Sequence, residues 1–286
     1  MVQPASIPQQ VVSQPSFPDL QAEIDRISNA APLFITKRDE ELHAWLNDQR
    51  DSKTSGIILA PQRSGVSESC QYYRLQYVRY KGSVLLLPAS IAYLRIPSDC
   101  TQYQLFVELL NALHRNLKMG RLSDLRKRSR ATLKEYGVKL IIVDDAHYLK
   151  LKALRELVQI HELLKIPVIL LGTKDLYEQL RSDWKQVHNS FLAFYQFPAM
   201  TYEQTGSVVD QWLTQFLQWQ EESDLLYEDV LKQLHEKTSG LTGPLYDTLQ
   251  KIAVRALKKG LFKLDEETTL EVLNQQLKAN VGSDNG

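Results

Sequence analysis

Two short stretches of the chain carry residue types that could handle phosphate. The first, Ala60-Pro61-Gln62-Arg63-Ser64-Gly65-Val66-Ser67, follows an apolar run and leads into helical periodicity. A phosphate-binding loop needs glycines so that the backbone can curl and aim N–H groups at phosphate oxygens, then Lys for charge and Ser or Thr for magnesium. Gly65 and Ser67 stand where G-x-x-x-x-G-K-[ST] requires them, but Ala60 replaces the first Gly and Val66 replaces the Lys. An ordinary strand-to-helix turn with one Gly reads the same way. The second stretch, Leu140-Ile141-Ile142-Val143-Asp144-Asp145, is an apolar strand ending in two carboxylates. Acids at that end of a buried strand face the crevice where α/β proteins bind ligands, and in nucleotide hydrolases the first holds magnesium while the next orients water. The same pair would also suit a strand end that caps the following turn.

A third feature is electrostatic. Arg115, Lys118, Arg121, Arg126, Lys127, Arg128, Arg130 and Lys134 fall close together, with only Asp124 inside the run. Because 34 basic residues balance 34 acidic ones, any nucleic-acid surface must be local, and this stretch is the candidate for gripping phosphates. At helical spacing Leu122, Leu125, Ser129 and Leu133 turn inward and most of the cations outward, which a solvated helix face would also show. The six histidines lack metal-ligand spacing, and Cys70 and Cys100 are too few for a disulfide framework or a zinc cluster. Trp184, Trp212, Trp219, Phe191, Phe194 and Tyr195 suit core packing better than base stacking.

These stretches need elements to position them, and the pattern supplies an α/β domain. Short apolar runs alternate with longer amphipathic segments, as in a parallel sheet covered by helices. Strands are expected at Gly56 to Ala60, Val84 to Leu87, Leu140 to Val143, Val168 to Leu171 and, more weakly, Phe191 to Phe197. Helices are expected at Ser67 to Tyr80, Thr101 to Leu117, Ser123 to Tyr136, Leu151 to Leu164 and Asp175 to Arg181. Residues 1–18 have no charged side chain and read as a flexible tail, 19–54 as N-terminal helices with Thr36 as an N-cap, and 55–198 as the α/β core. Residues 199–280 read as a small helical subdomain and 281–286 as a disordered end. With 286 residues, no apolar run of bilayer length and no charged-then-apolar start, the expected location is the cytoplasm.

From about Leu20 to Leu277 the chain resembles AAA+ ATPases, and within them the TnsC/TniB-type regulators of bacterial transposition found in CRISPR-associated transposons. The resemblance rests on Ser123-Asp124-Leu125-Arg126, Gly137-Val138-Lys139-Leu140 running into Asp144, Val168-Ile169-Leu170-Leu171-Gly172-Thr173, and Ser239-Gly240-Leu241-Thr242-Gly243. It implies an AAA+ P-loop-type parallel sheet of about five strands flanked by helices and followed by a small helical subdomain. It also implies a homo-oligomer, a ring or filament around duplex DNA, that links target selection to the transposase. A target-selection protein of the TniQ type and a CRISPR effector are the further partners it brings in.

On this resemblance the nucleotide site comprises Gly65, Val66, Ser67, Asp144 and Thr173, with Ser67 and Asp144 on magnesium if ATP binds, and Asp145 as a vestigial catalytic acid. DNA contact falls to Arg115, Lys118, Arg121 and Arg126. The family's P-loop Lys is Val66 here, its second acid is the shorter Asp145, and its second sensor Gly-Arg reads Gly243-Pro244. The segment Val187-His188-Asn189-Ser190 holds no arginine where a basic residue often reaches the neighbouring nucleotide. Arg63 and Arg181 are the arginines that could stand in. Losing the Lys removes a charge-assisted bond of about 1.5 to 3 kcal/mol, whereas an arginine finger is worth roughly a thousandfold in rate. The expectation is a DNA-binding adaptor without efficient hydrolysis. The rivals are a working ATPase that borrows charge from a neighbouring subunit, and a regulator that joins an active family member without gripping DNA.

Overall fold

The computed structural model describes residues 17–30, 32–81, 84–86, 90–115, 120–219 and 221–281. Five strands form one parallel sheet: β1 (Gly56–Leu59), β4 (Ile91–Arg95), β5 (Leu140–Asp144), β6 (Val168–Gly172) and β7 (Ala193–Gln196). They lie in the order β4-β5-β6-β1-β7, so β6 separates the two strands that lead into the motifs. A separate antiparallel pair is made by β2 (Arg79–Lys81) and β3 (Val84–Leu86).

Each inner strand is apolar along its length because helices cover both faces of a parallel sheet. On one face Ala92, Leu94, Ile141, Val143 and Leu170 pack with α4 (Gln102–Ala112), α5 (Leu122–Glu135) and α6 (Leu151–Leu164). On the other, Ile58, Ile91, Tyr93, Ile142 and Ile169 pack with α2 (Lys37–Ser52) and α3 (Val66–Gln76). Helix α2 starts where expected: the Asp39 carboxylate accepts from the Thr36 amide at 2.9 Å and its hydroxyl at 2.6 Å. The inward positions of α5, Leu125, Ser129 and Leu133, are buried.

The chain divides into two units. One comprises residues 33–208 and 234–245: the sheet, its helices, α7 (Lys174–Ser182), α8 (Lys185–His188), the greater part of α9 (Tyr202–Gln211), and the segment that opens α11 (Thr242–Lys258). The other comprises the residues up to 32, 209–233 and 246 onward. It contains α1 (Phe17–Asn29), the π-helical turn Trp212–Leu217 and α12 (Glu266–Val281). Helix α10 (Glu228–Thr238) is divided between the two.

Three sequence expectations need correction. The run Val84 to Leu87 is no strand of the main sheet; its residues 84–86 pair with β2, and the sheet position belongs to Ile91–Arg95. Both runs are short and apolar, and only pairing with β5 selects the second. The helix expected from Ser67 to Tyr80 ends at Gln76, and Arg79 and Tyr80 are extended. The helix expected to reach Leu117 ends at Ala112. Of the tail expected at 1–18, Phe17 and Pro18 instead open α1, and of the end expected at 281–286, Val281 closes α12; residues 1–16 and 282–286 lie outside the described residues.

Candidate functional site

The ends of β1, β4, β5 and β6 and the start of α3 border a cleft of about 350 Å³ that contains both phosphate-type motifs. Its floor is the loop from Ala60 to Ser67. Gly65 carries φ +91°, a left-handed conformation, and a Cβ there would stand 2.8 Å from the Thr242 hydroxyl, so only glycine fits. The loop then enters α3, whose first-turn amides have no carbonyl to bond within the helix and present partial positive charge. Val66 borders the cleft, and it is buried in the apolar cluster with Ile58, Cys70 and Tyr73.

The loop is held from outside by hydrogen bonds. Thr242 donates its hydroxyl to the Ser64 carbonyl at 2.8 Å, and the Gly243 amide donates to the Arg63 carbonyl at 2.9 Å. Arg38, buried on α2, donates to the Ser64 carbonyl (2.9 Å), the Thr242 hydroxyl (2.6 Å) and the Pro198 carbonyl (2.9 Å). Its guanidinium also lies 4.6 Å from the Phe197 ring centroid. Arg38 thus ties the loop to α2, to the end of β7 and to the start of α11.

Asp144 closes β5 and is buried, 3% exposed. The parallel register sets Arg95 beside Asp144 and Tyr93 beside Ile142, so both side chains of β4 share the face of the acid. Tyr93 donates to Asp144 Oδ2 at 2.5 Å, and Arg95 Nη2 lies 3.6 Å from the same oxygen. The Asp145 amide donates to Asp144 Oδ1 at 2.9 Å. Asp145 itself adopts φ +56°, and its Oδ2 lies 3.3 Å from Arg95 Nε. One guanidinium therefore bridges both carboxylates. Burial and the Asp144 charge raise the Asp145 carboxyl above its ordinary value, against the opposing pull of Arg95 and His147. Burial, then Asp144, pushes the Tyr93 phenol up, so it stays a donor. Burial pulls the Arg95 guanidinium down, but the Asp144, Tyr93 and Asp145 charges outweigh it and leave its value raised.

Phosphate suits this cleft. Besides the α3 amides it is bordered by Ser64 and His147, whose Oγ and Nδ1 are buried without a hydrogen-bond partner. A divalent cation suits it poorly, because both Asp144 oxygens are already engaged. Among the described residues no group of three or more His, Cys, Asp or Glu has metal-holding geometry.

The other expected residues disperse. Ser67 and Thr173 border the cleft, and the Thr173 hydroxyl donates to Asp175 at 3.3 Å. Of the two stand-in arginines, Arg63 borders the cleft, while Arg181 stacks on Tyr177 at 5.6 Å. Among the DNA candidates, Arg115 pairs with Glu135 and bonds the Tyr136 hydroxyl. Arg126 pairs at 2.5 Å with Glu156, itself buried and also bonded to Gln102. Arg121 is exposed, as are Lys127, Arg128 and Lys134 on α5, and Lys118 lies outside the described residues. The cysteines offer no nucleophile: burial, with Glu108 adding, pushes Cys100 up to about 11, and burial pushes Cys70 higher. Sequence reasoning missed Arg95 and Tyr93, whose signal was the alternation Tyr93-x-Arg95 ending an apolar run.

Residues 49–180 match a family model described as an AAA domain. The fold is that of an AAA+ P-loop module. The ORC2 protein of Aeropyrum pernix, solved as ADPNP–ADP complexes, superposes on 87% of this chain and 71% of its own at TM-score 0.64 and 12% identity. The ORC1 protein of the same organism, solved in complex with DNA, gives TM-score 0.63 at 12% identity over 88% and 69%. The RuvB Holliday junction branch migration motor of Thermotoga maritima gives 0.53 at 12% identity over 84% and 69%. A search of the curated proteins returned no match. No helix of the described residues is long and apolar enough to cross a membrane.

Proposed function

We propose that this chain is a DNA-binding, self-associating AAA+ adaptor that links target-site selection to the transposase in DNA transposition, without efficient ATP hydrolysis. Val66 carries the second half of that reading. Its side chain is buried in an apolar cluster, so the loop supplies no amine where phosphoryl transfer needs one. Of the two arginines that border the cleft, Arg95 is shared with two carboxylates. Nucleotide then serves as structural glue between subunits, resting on Gly65, Ser67 and the α3 amides. Support for the first half comes from Arg121, Lys127, Arg128 and Lys134, exposed together at and along α5, and from the DNA in the ORC1 neighbour. The transposase, TniQ-type and CRISPR-effector partners rest on the sequence resemblance.

The test uses the purified full chain with ATP and duplex DNA. No ATP turnover is expected, with or without Asp144→Ala or Asp145→Ala. The double variant Lys118→Ala, Arg121→Ala should weaken binding to all DNA sequences and reduce the log–log salt slope by about 1.8, roughly 0.9 per lost phosphate contact. Turnover that Asp144→Ala abolishes would overturn the adaptor reading. An unchanged salt slope would overturn the DNA face.

A further inference from the structure

The carboxylates that close β5 already have a cation. In the parallel register Arg95 faces Asp144, and its guanidinium lies 3.6 Å from Asp144 Oδ2 and 3.3 Å from Asp145 Oδ2. The remaining capacity of Asp144 is reduced by the Tyr93 hydroxyl at 2.5 Å and the Asp145 amide at 2.9 Å. A hard divalent cation needs exposed oxygens around it in near-octahedral order, and Asp144, 3% exposed, offers few. Phosphate has the first-turn amides of α3 in the same cleft, which Ser64 and His147 also border. An arginine fork suits phosphate oxygens as well as carboxylates.

We propose that Arg95 replaces the divalent cation of this cleft, so that the chain binds nucleotide phosphate without metal. The proposal rests on reading the cleft as a nucleotide site and names the group that makes it selective. Arg95 offsets one of the two negative charges that close β5, while its side chain, 63% exposed, has an edge left to meet the phosphate. The cleft is bordered by two arginines, Arg63 and Arg95, against Glu68, Asp144 and Asp145. With no metal to offset further charge, a nucleoside diphosphate binds at least as well as a triphosphate.

The experiment measures binding of fluorescent ADP and ATP analogues to the full chain, in EDTA and in excess magnesium. The wild type is expected to bind ADP with the same affinity in both, within about threefold, and to hold no Mn²⁺ in electron paramagnetic resonance with nucleotide present. Arg95→Ala should lose about tenfold or more in EDTA, regain part of the loss with magnesium, and acquire bound Mn²⁺ because the carboxylates are released. Arg95→Lys should retain part of the metal-free affinity. Wild-type binding that drops tenfold in EDTA, or Arg95→Ala that binds unchanged, overturns the proposal, as does a wild type that binds neither nucleotide. A DNA titration on the same samples separates that last result from failure of the adaptor reading. If Arg95→Ala does not fold, Arg95→Lys and the wild-type comparison in EDTA decide.

Discussion

His43 is a buried group that makes stability depend on pH. It is buried against Tyr73, its Nε2 is 3.0 Å from the Ser69 carbonyl, and burial lowers its value despite that bond and the charges of Asp39 and Glu40. Above the unfolded value of about 6.5 both states are neutral and pH has no effect through this residue. Below it, the unfolded chain takes up a proton that the folded chain refuses, so stability falls as pH drops. The urea midpoint should decline on the acid side of about pH 6.5 in the wild type and decline less in His43→Gln. Equal slopes would remove His43 from this account. Arg38 acts at the same scale with no titration: Arg38→Ala, which deletes three charge-assisted bonds to two carbonyls and a hydroxyl, should cost about 2 to 4 kcal/mol in equilibrium unfolding.

Between elements, the decisive event is the register of β4 on β5. A shift by one residue would turn Tyr93 and Arg95 to the opposite face and leave Asp144 unpaired. A second joint ties α5 to α6, where Arg126 meets buried Glu156. Removing the arginine strands a buried carboxylate, but the Arg126 side chain is 31% exposed, so water lowers the cost below that of a fully buried pair. Arg126→Ala should therefore destabilise by roughly 2 kcal/mol in urea unfolding, and Glu156→Gln by less, since an amide can still accept from Arg126. A loss of DNA affinity in Arg126→Ala without a loss of stability would instead assign this arginine to the DNA.

For the whole molecule, charge balance limits what DNA binding can look like. With zero net charge there is no long-range pull on a polyanion, and grip must come from the local group at Arg121, Lys127, Arg128 and Lys134, with Lys118 adjoining. Four or five phosphate contacts give a log–log salt slope of about −4 per chain. A slope steeper than about −7 would require a second basic surface. The measurement is a titration of a short duplex at several salt concentrations, with the full chain kept below its assembly concentration.

Local chemistry was enough to place the loop at Ala60–Ser67, the strand into Asp144, the helical face of α5 and the parallel α/β class, because apolar period and turn residues act over a few positions. Thr36 and Leu151 to Leu164 were legible for the same reason. What a linear reading could not supply was the choice between two neighbouring apolar runs, 84–87 and 91–95, since both satisfy the same local pattern and only burial between β5 and the helices separates them. That choice brought Arg95 and Tyr93 to Asp144, from 49 and 51 positions away. Likewise the burial of Val66 and the clamp from Arg38, Thr242 and Gly243 depend on contacts between distant segments. Sequence determined which residues could meet a phosphate; tertiary packing decided which charges they would face.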